Sequence, residues 1–443
     1  MEEKKDAEVL SPARGMRDFM PDEKRLRDGV VETLKRKFEA YAFQPLETPA
    51  VERLEVLASK YAGGEEILKE VFKLKDQGGR ELGLRYDLTV PLCRLVAANP
   101  RMPMPFKRYQ IAPVWRDGPL KQGRYREFVQ CDVDTVGSES MLADAEILAL
   151  AADALAGIFG EGKFGIKVSN RKLLAGMLEE AGISEGREAG VMLSLDKLAK
   201  VGRQGVLDEM KSKGIPMEQA EQALAFAAAK KLEDLEALLS NPKAKAGISE
   251  LRDVFSYCEK MGCAGSLEFD ASLARGLQYY TGTIFEAYLK DSAIKSSVAG
   301  GGRYDDLIGG FAGRGGRICA VGISFGLDVI CEALKGKGRE ARGGDRKRAF
   351  IIPVSKEGSR EVLEACLAAA AALRKAGVPV GIDLMQRSLA KNMEYASKNG
   401  FGQVVLAGES ELRQGKYKLR DLATGKERLL GLQDLAKATR AVP

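Results

Sequence analysis

The chain contains no histidine among its 443 residues. Imidazole is the side chain most often used for general acid–base catalysis near neutral pH, and it is the commonest nitrogen ligand of metals in proteins. Any chemistry that this protein performs therefore runs without an imidazole of its own.

The CxxC motif is also absent, and the seven cysteines are scattered mostly among apolar neighbours. An odd number of such cysteines is typical of reduced thiols in a core rather than of a disulfide framework. Cys258 and Cys263 are the closest pair, but the sequence has no second pair and no histidine, so we expect no zinc site. The ligands of any other metal ion stay unassigned.

Long apolar runs are missing as well. No segment approaches the roughly 20 apolar residues that cross a bilayer, and the first ten residues, MEEKKDAEVL, lack the apolar core of a secretory signal. We expect a cytoplasmic protein without a membrane partner. The 69 Lys and Arg against 63 Asp and Glu give a net charge of +6, a mild excess that permits a nucleic-acid partner without requiring one.

Apolar residues recur at every fourth position from Pro21 to Tyr41, which predicts an amphipathic helix. Strand-like residues on both sides of Gly78-Gly79 predict a hairpin, and PFKRYQIAPVWR and REFVQCDVDTVG predict two longer strands. This pattern indicates an antiparallel sheet that carries helices, hence an α+β fold.

Later segments differ in composition, which predicts several domains in a chain too long for a single core. Residues from about 171 to 260 are rich in Ala, Leu, Glu and Lys and predict helices, whereas SLEFD, QYYTGTIFEAYL and ICAVGISFGLDVI predict strands. A basic, Gly-rich stretch predicts a linker, and the alternation after it predicts a small parallel α/β unit. The predicted divisions are 1–170 (first part of the sheet domain), 171–264 (helical insertion), 265–334 (second part of the sheet domain), 335–348 (linker) and 349–443 (α/β unit).

Two polar segments, GRYREF and ARGLQYYTG, combine arginines with aromatic residues. Arginines that lose water bind phosphate or carboxylate groups, although any one of them can instead pair with a buried Asp or Glu of the same chain. No P-loop occurs, and GGGRYDDLIGGF lacks the order GxGxxG. We therefore expect any nucleotide to be held by side chains and by the sheet surface.

Together with further segments of the chain, these two segments resemble the histidyl-tRNA synthetases. The resemblance covers nearly the whole chain, and the chain looks closer to the archaeal and eukaryotic members than to the other members of that family. The residues that carry the resemblance are LRYDLTVP (84–91), VWRDGPLKQGRYREFVQCDVD (114–134), SLARGLQYYTGTIFE (272–286) and AGGGRYD (299–305). The resemblance implies a class II synthetase catalytic domain with a helical insertion over the acceptor end of the tRNA, and a carboxy-terminal anticodon-binding domain. It also implies a homodimer that pairs through the segment QPLETP.

The function that the resemblance implies is activation of L-histidine with ATP and Mg²⁺ to histidyl-adenylate, followed by transfer to tRNA(His). In that reaction the carboxylate of the substrate attacks the α-phosphorus of ATP, so a protein without histidine can perform it. The implied catalytic residues are Arg116 and Arg275; the implied histidine-binding residues are Asp87, Thr89, Arg116, Gln130, Asp134, Arg275, Tyr279 and Tyr280; the implied ATP-binding residues are Arg116, Arg124, Phe128 and Arg275. Strand packing is the alternative for the two tyrosines, and a solvated loop is the alternative for Arg124 and Arg126.

Three positions depart from the family pattern: Gln278 stands where the family usually has Asp, Gly118 where the second motif often has Glu, and Val329 where the third motif usually has Arg. Since that Arg normally meets ATP, we expect its loss to weaken nucleotide binding unless another guanidinium, Arg303 or Arg317, substitutes for it. Because of these departures, a second hypothesis for the function stays open. In it the chain is a catalytically silent relative that binds histidine or tRNA as a sensor or regulatory subunit.

Overall fold

The computed structural model describes residues 10–58, 68–120, 125–184, 186–274, 279–312, 316–335, 348–355 and 359–440. The chain forms two compact units, which divide between Glu340 and Ala341. Most of the predicted linker lies outside the described residues, as do Arg124, Arg275 and Gln278. No helix in the described ranges is long and apolar enough to cross a membrane.

The first unit contains an eight-stranded sheet and a separate three-stranded sheet. The strands are β1 (Gln44–Pro45), β2 (Val51–Arg53), β3 (Lys73–Lys75), β4 (Glu81–Leu84), β5 (Phe106–Trp115), β6 (Glu127–Val136), β7 (Phe164–Asn170), β8 (Leu267–Phe269), β9 (Thr283–Leu289), β10 (Ala299–Arg303) and β11 (Ala320–Gly326). The order of the large sheet is β1-β5-β6-β11-β10-β9-β7-β8, and the small sheet is β2-β4-β3. The α+β fold and the hairpin of β3 with β4 are confirmed, but the two outermost pairs of the large sheet, β1 with β5 and β7 with β8, are parallel.

The helices of this unit pack on both sides of the large sheet, since Cys131 of β6 shares a core cluster with Leu34 and Ile147, whereas Val136 shares another with Leu92 and Ile308. They are α1 (Pro21–Ala40), α2 (Leu54–Leu57), α3 (Thr89–Ala98), α4 (Met141–Phe159), α5 (Arg171–Glu180), α6 (Glu188–Leu195), α7 (Leu198–Ser212), α8 (Met217–Ala227), α9 (Leu232–Leu238), α10 (Pro242–Lys260), α11 (Leu307–Ala312) and α12 (Leu327–Lys335), with a short 3₁₀ turn at Ala264–Ser266. Helix α1 has Pro21 in its first turn and buries Val30, Leu34 and Phe38, as its period predicts.

The helices α5 to α10 share a continuous hydrophobic core with the sheet. This core contains Phe164 of β7, Ile147 of α4, Leu173 of α5 and Leu251 of α10. The backbones of α5 and α10 approach closely, because a Cβ atom at Gly176 would lie 2.7 Å from Cα of Ala244. The helical region is therefore anchored directly on the sheet that carries the pockets described below.

One strand prediction is wrong at its end. The segment ICAVGISFGLDVI does not stay extended: β11 ends at Gly326, and Leu327 to Ile330 form the first turn of α12. Leu327, Ile330, Cys331 and Leu334 are buried at helical spacing. The β-branched residues at 329 and 330 favoured a strand locally, but the burial of one helical side decides the conformation.

The second unit is a five-stranded sheet with four helices. Its elements are β12 (Ala349–Val354), α13 (Arg360–Lys375), β13 (Val380–Ile382), α14 (Leu389–Lys398), β14 (Gln403–Gly408), α15 (Glu409–Leu412), β15 (Lys416–Asp421), β16 (Glu427–Gly431) and α16 (Leu432–Arg440). The strand order is β13-β12-β14-β15-β16. Strands β13, β12 and β14 are parallel, whereas β15 pairs antiparallel with β14 and forms an antiparallel hairpin with β16.

Candidate active site

Two adjoining pockets lie on the large sheet of the first unit. The larger has a volume of about 410 Å³ and the smaller about 130 Å³. Arg116, Gln130, Gly300 and Ser324 line both pockets, so the two pockets share a wall. Of the predicted histidine-binding residues, the smaller pocket brings together Asp87, Thr89, Arg116, Gln130, Asp134, Tyr279 and Tyr280.

Strand alternation explains why β6 supplies three of these polar groups. Successive side chains of a strand point to opposite sides, so Gln130, Asp132 and Asp134 share one side, and all three line the smaller pocket. The neighbouring strand β11 places Gly322 opposite Asp134. A Cβ atom at Gly322 would overlap the Asp134 carboxylate, so the glycine makes room for this side chain.

Both oxygens of Asp134 have partners within the protein. Oδ1 accepts a hydrogen bond from the Tyr304 hydroxyl at 2.5 Å, and Oδ2 forms a 2.7 Å ion pair with Nη2 of Arg108. The side chains of Asp134 and Arg108 are both almost fully buried. The negative charge of Asp134 is thus compensated before any ligand binds.

Burial raises the pKa values of the carboxyl groups in the smaller pocket. Burial raises the pKa of Asp87 to about 6. The hydrogen bond from the Val90 amide and the nearby Arg116 act in the opposite direction and lower this pKa. The pKa of Asp132 rises to about 7, again because of burial, with Arg108 opposing the rise and Asp134 adding to it. Asp134 also has a raised pKa because of its burial, although Arg108 and Tyr304 both act to lower it.

Three tyrosines form the aromatic wall of the smaller pocket. The rings of Tyr279 and Tyr280 lie 4.9 Å apart, and those of Tyr279 and Tyr304 lie 5.9 Å apart, both edge to face. Tyr279 and Tyr280 also pack against the apolar cluster that contains Leu92 and Ile308. Burial raises the pKa of each tyrosine, so all three stay neutral phenols that can donate and accept hydrogen bonds.

Arg116 lies where the two pockets meet. Its Nε atom donates to the Tyr86 carbonyl at 3.0 Å, and its guanidinium carbon lies 5.1 Å from the centre of the Phe128 ring. Phe128 lines the larger pocket together with Glu70, Asp328 and Val329. The larger pocket therefore combines a guanidinium group with a flat aromatic surface, which suits a nucleotide.

The two candidate substitutes for the third-motif arginine are paired elsewhere in the first unit. Arg303 is only 1% exposed and is bound to Asp144, to Asp305 and to the Ser138 carbonyl at 2.8 Å. Arg317 pairs with Asp305 and is absent from the linings of both pockets. Because both guanidinium groups are held by carboxylates elsewhere, neither replaces the arginine at the position of Val329.

Arg126 forms an ion pair within the protein and does not lie in a solvated loop. Its Nη2 atom lies 3.1 Å from the Asp117 carboxylate, and its backbone amide donates to the Gly15 carbonyl. Arg126 thus ties the segment after the second-motif loop to the start of the described chain. The positions of Arg124 and Arg275 stay predictions, because both lie outside the described residues.

Sequence reasoning missed four residues of the site: Glu70, Arg108, Asp132 and Tyr304. The alternation of β6 could have identified Asp132 from its neighbours Gln130 and Asp134. Glu70 lies against Gly118, with its Oε1 atom 2.9 Å from where a Cβ atom would stand. No local signal pointed to Arg108, and Tyr304 lies in the family segment AGGGRYD without an assigned role, since the roles of both depend on how distant strands pair. Within the described ranges, no cluster of three or more acidic or cysteine side chains could hold a metal ion.

Comparison with known proteins identifies the family. A histidyl-tRNA synthetase family model matches residues 15–330, and an anticodon binding domain model matches residues 348–441. The chain is 41% identical to histidine–tRNA ligase 1 of Bacillus cereus, with 96% of this chain and 98% of that protein covered. It is 40% identical to histidine–tRNA ligase of Gloeobacter violaceus, with coverage of 96% and 97%.

A solved structure agrees with these sequence matches. The histidyl-tRNA synthetase from Nostoc sp. PCC 7120 superimposes with a TM-score of 0.83 at 31% identity, covering 97% of this chain and 99% of that one. These relatives are bacterial, so the comparisons do not support the expected similarity to archaeal and eukaryotic members. Matches of this length and identity leave one assignment: the chain belongs to the histidyl-tRNA synthetase family.

Proposed function

We propose that this chain is a histidine–tRNA ligase that activates L-histidine with ATP and transfers it to tRNA(His). The observation that carries the proposal is that two unlike pockets adjoin at Arg116. The smaller is acidic and lined with tyrosines, and the larger combines an arginine with an aromatic ring. An amino acid in the first and a nucleotide in the second would meet beside the same guanidinium group.

The smaller pocket takes histidine. Asp87, Thr89 and Gln130 hold its α-amino group, and Asp134 with Tyr280 contacts the imidazole ring, with Tyr279 beside them. Burial of polar groups that only the correct ligand satisfies makes such a pocket selective, because an apolar analogue leaves them unpaired. The volume of about 130 Å³ supports a small ligand.

The larger pocket takes ATP. Phe128 stacks on the adenine, Arg116 contacts the α-phosphate and the substrate carboxylate, Arg124 contacts the outer phosphates, and Arg275 contacts the α-phosphate. Mg²⁺ enters with the phosphates, as it commonly does when few protein carboxylates bind it. Glu70 suits this ion or another cationic group, because its carboxylate lines the larger pocket without a hydrogen bond or ion pair to any described residue.

The chemical step needs alignment and charge stabilisation more than proton transfer. A carboxylate oxygen of histidine forms a bond to the α-phosphorus, and the bond to the bridging oxygen breaks as pyrophosphate leaves. Fixed guanidinium groups stabilise the negative charge on the α-phosphoryl oxygens. No proton leaves the attacking carboxylate, so the lack of histidine in the chain does not impede this step.

The second unit binds the anticodon arm of the tRNA, which its match to an anticodon binding domain supports. We propose further that two copies form a dimer through the segment 44–49. In support, β1 forms one edge of the large sheet, and both of its residues are exposed. The cytoplasmic location also stays a prediction.

Histidine-dependent exchange of radiolabelled pyrophosphate into ATP tests the proposal. The purified chain should catalyse exchange with histidine and should show at least about 100-fold less with phenylalanine, which lacks the ring nitrogens. A silent sensor would bind histidine in calorimetry and show no exchange. That result would replace the proposed activity with the regulatory alternative.

A further inference from the structure

Four buried acceptor atoms in the smaller pocket have no hydrogen-bond partner among the described residues: Oδ2 of Asp87, Oε1 of Gln130, Oδ1 of Asp132 and Oδ2 of Asp134. Of these, Oδ2 of Asp134 is in an ion pair with Arg108. A buried acceptor without a donor costs roughly 1–3 kcal/mol, so each such atom calls for an explanation. A ligand with N–H groups would supply the donors that the other three atoms lack.

Asp132 stands out because the adjacent carboxylate is already satisfied. Asp134 receives the Tyr304 hydroxyl and the Arg108 guanidinium, whereas Asp132 is only 3% exposed and its Oδ1 has no hydrogen-bond partner among the described residues. A ligand with a protonated nitrogen would supply both a donor and a positive charge to this buried carboxylate.

We propose that Asp132 is a specificity-determining residue of the histidine pocket, whose free Oδ1 accepts an N–H from a protonated or ring nitrogen of bound histidine. The inference rests on the proposed function and adds a residue of segment 114–134 to which the resemblance assigned no role. The α-ammonium group and the imidazole ring offer the same chemistry, and the experiment below separates them. Asp134, which Tyr304 and Arg108 hold in place, contacts the ring beside Asp132.

The charges around Asp132 give the contact a pH dependence. Asp132 interacts, through its charge or through a hydrogen bond, with Arg85, Asp87, Arg108, Asp134, Tyr280 and Ser324. Burial raises its pKa to about 7, with Arg108 opposing the rise. The carboxylate that histidine needs is therefore depleted below about pH 7, and an amide at this position would remove the dependence.

The test is Asp132→Asn, which keeps the shape and removes the charge. In pyrophosphate exchange at pH 8, KM for histidine should rise by about 10- to 100-fold, as for loss of a charge-assisted hydrogen bond, while KM for ATP should stay within about twofold. The ratio of variant to wild-type KM should fall towards one between pH 8 and pH 6. Titration of the substrate ring cancels in this ratio, because both enzymes meet the same substrate.

Thermal unfolding of the ligand-free protein separates binding from structure. Because Asp132 lacks a full complement of partners, Asp132→Asn should leave Tm unchanged or raise it. Asp134→Asn is the matched control two residues away, and it should lower Tm because it leaves Arg108 buried without its charge partner. A fall in Tm for Asp132→Asn, including failure to fold, would overturn the proposal.

Inhibition by 3-(imidazol-4-yl)propionate, which lacks the α-ammonium group, identifies the nitrogen. If Asp132 contacts the ammonium, wild type and variant should bind this analogue equally; if it contacts the ring, the variant should bind it about 10-fold or more weakly.

A folded variant whose KM for histidine stays within twofold at pH 8 would refute the role of Asp132 alone. If the wild type showed no exchange, the proposed function would fail, and calorimetric binding of histidine to both proteins would still decide the role of Asp132.

Discussion

At the scale of single residues, the smaller pocket holds three buried carboxyl groups beside two arginines. Such a set stabilises the ligand-free protein less than an apolar core would, because carboxylates lose their hydration on burial. A ligand that supplies N–H donors offsets this cost, and it stabilises the folded state in proportion to its affinity. We therefore expect histidine to raise the Tm of this protein.

Gly322→Ala tests how the backbone makes room for the pocket. The added Cβ atom would overlap the Asp134 carboxylate, so we expect a loss of about 1–3 kcal/mol in the free energy of unfolding and a rise of at least tenfold in KM for histidine. Gly165→Ala in β7 is the control, since its Cβ atom would meet only the flexible end of Lys290 at 3.4 Å. If Gly322→Ala kept the free energy of unfolding and the KM for histidine of the wild type, Asp134 would not need this space.

Sequence motifs predicted which polar residues line the smaller pocket, but not which of them are paired. Asp87, Gln130 and Tyr280 belong to recognisable segments, and the structure places them together. The partners of Asp134 could not be predicted, because Arg108 comes from β5 and Tyr304 follows β10. Their meeting depends on strand register across the large sheet, which no local pattern reveals.

At the scale of secondary-structure elements, Asp328 in the first turn of α12 links three parts of the first unit. Its Oδ1 atom accepts from Arg17 at 2.8 Å and from Arg27 at 2.7 Å, and Oδ2 accepts from the Val129 amide at 3.0 Å. A negative charge at the start of a helix is also favourable. Because the sequence favoured a strand here, this role of Asp328 could not be predicted.

Asp328→Ala should destabilise the protein by about 3–5 kcal/mol, because it leaves the buried Arg27 without its partner. Denaturant unfolding measures the loss. The control is Asp153→Ala, whose ion pair with Lys37 is half-exposed and should contribute less than about 1 kcal/mol. Equal losses in the two variants would contradict the role of Asp328 as a buried link.

At the scale of the whole molecule, the two compact units match two family models, at residues 15–330 and 348–441. Each unit has a hydrophobic core of its own. Composition predicted the change of fold type after the basic stretch, and the parallel strands of the second unit follow from its alternating pattern. The parallel edges of the large sheet were not predictable, because short edge strands such as β1 and β8 carry little pattern.

Truncation after Arg348 tests the division of labour between the units. The shortened protein should keep histidine-dependent pyrophosphate exchange within about threefold, because both pockets lie in the first unit. Its affinity for tRNA should fall by more than about tenfold, with a shallower dependence on salt concentration, because cationic contacts to phosphates are lost. Unchanged affinity in a filter-binding assay would argue against an anticodon-binding role.

Charging of tRNA is the most direct test of the central claim, that an acidic, tyrosine-lined pocket and an adjoining nucleotide pocket together make a histidine–tRNA ligase. The measurement is the formation of histidyl-tRNA(His) and AMP by the purified protein with histidine, MgATP and the tRNA transcript. We expect one AMP for each histidine attached and no charging of a tRNA for another amino acid. Binding of histidine and ATP without any AMP or histidyl-tRNA would contradict the account.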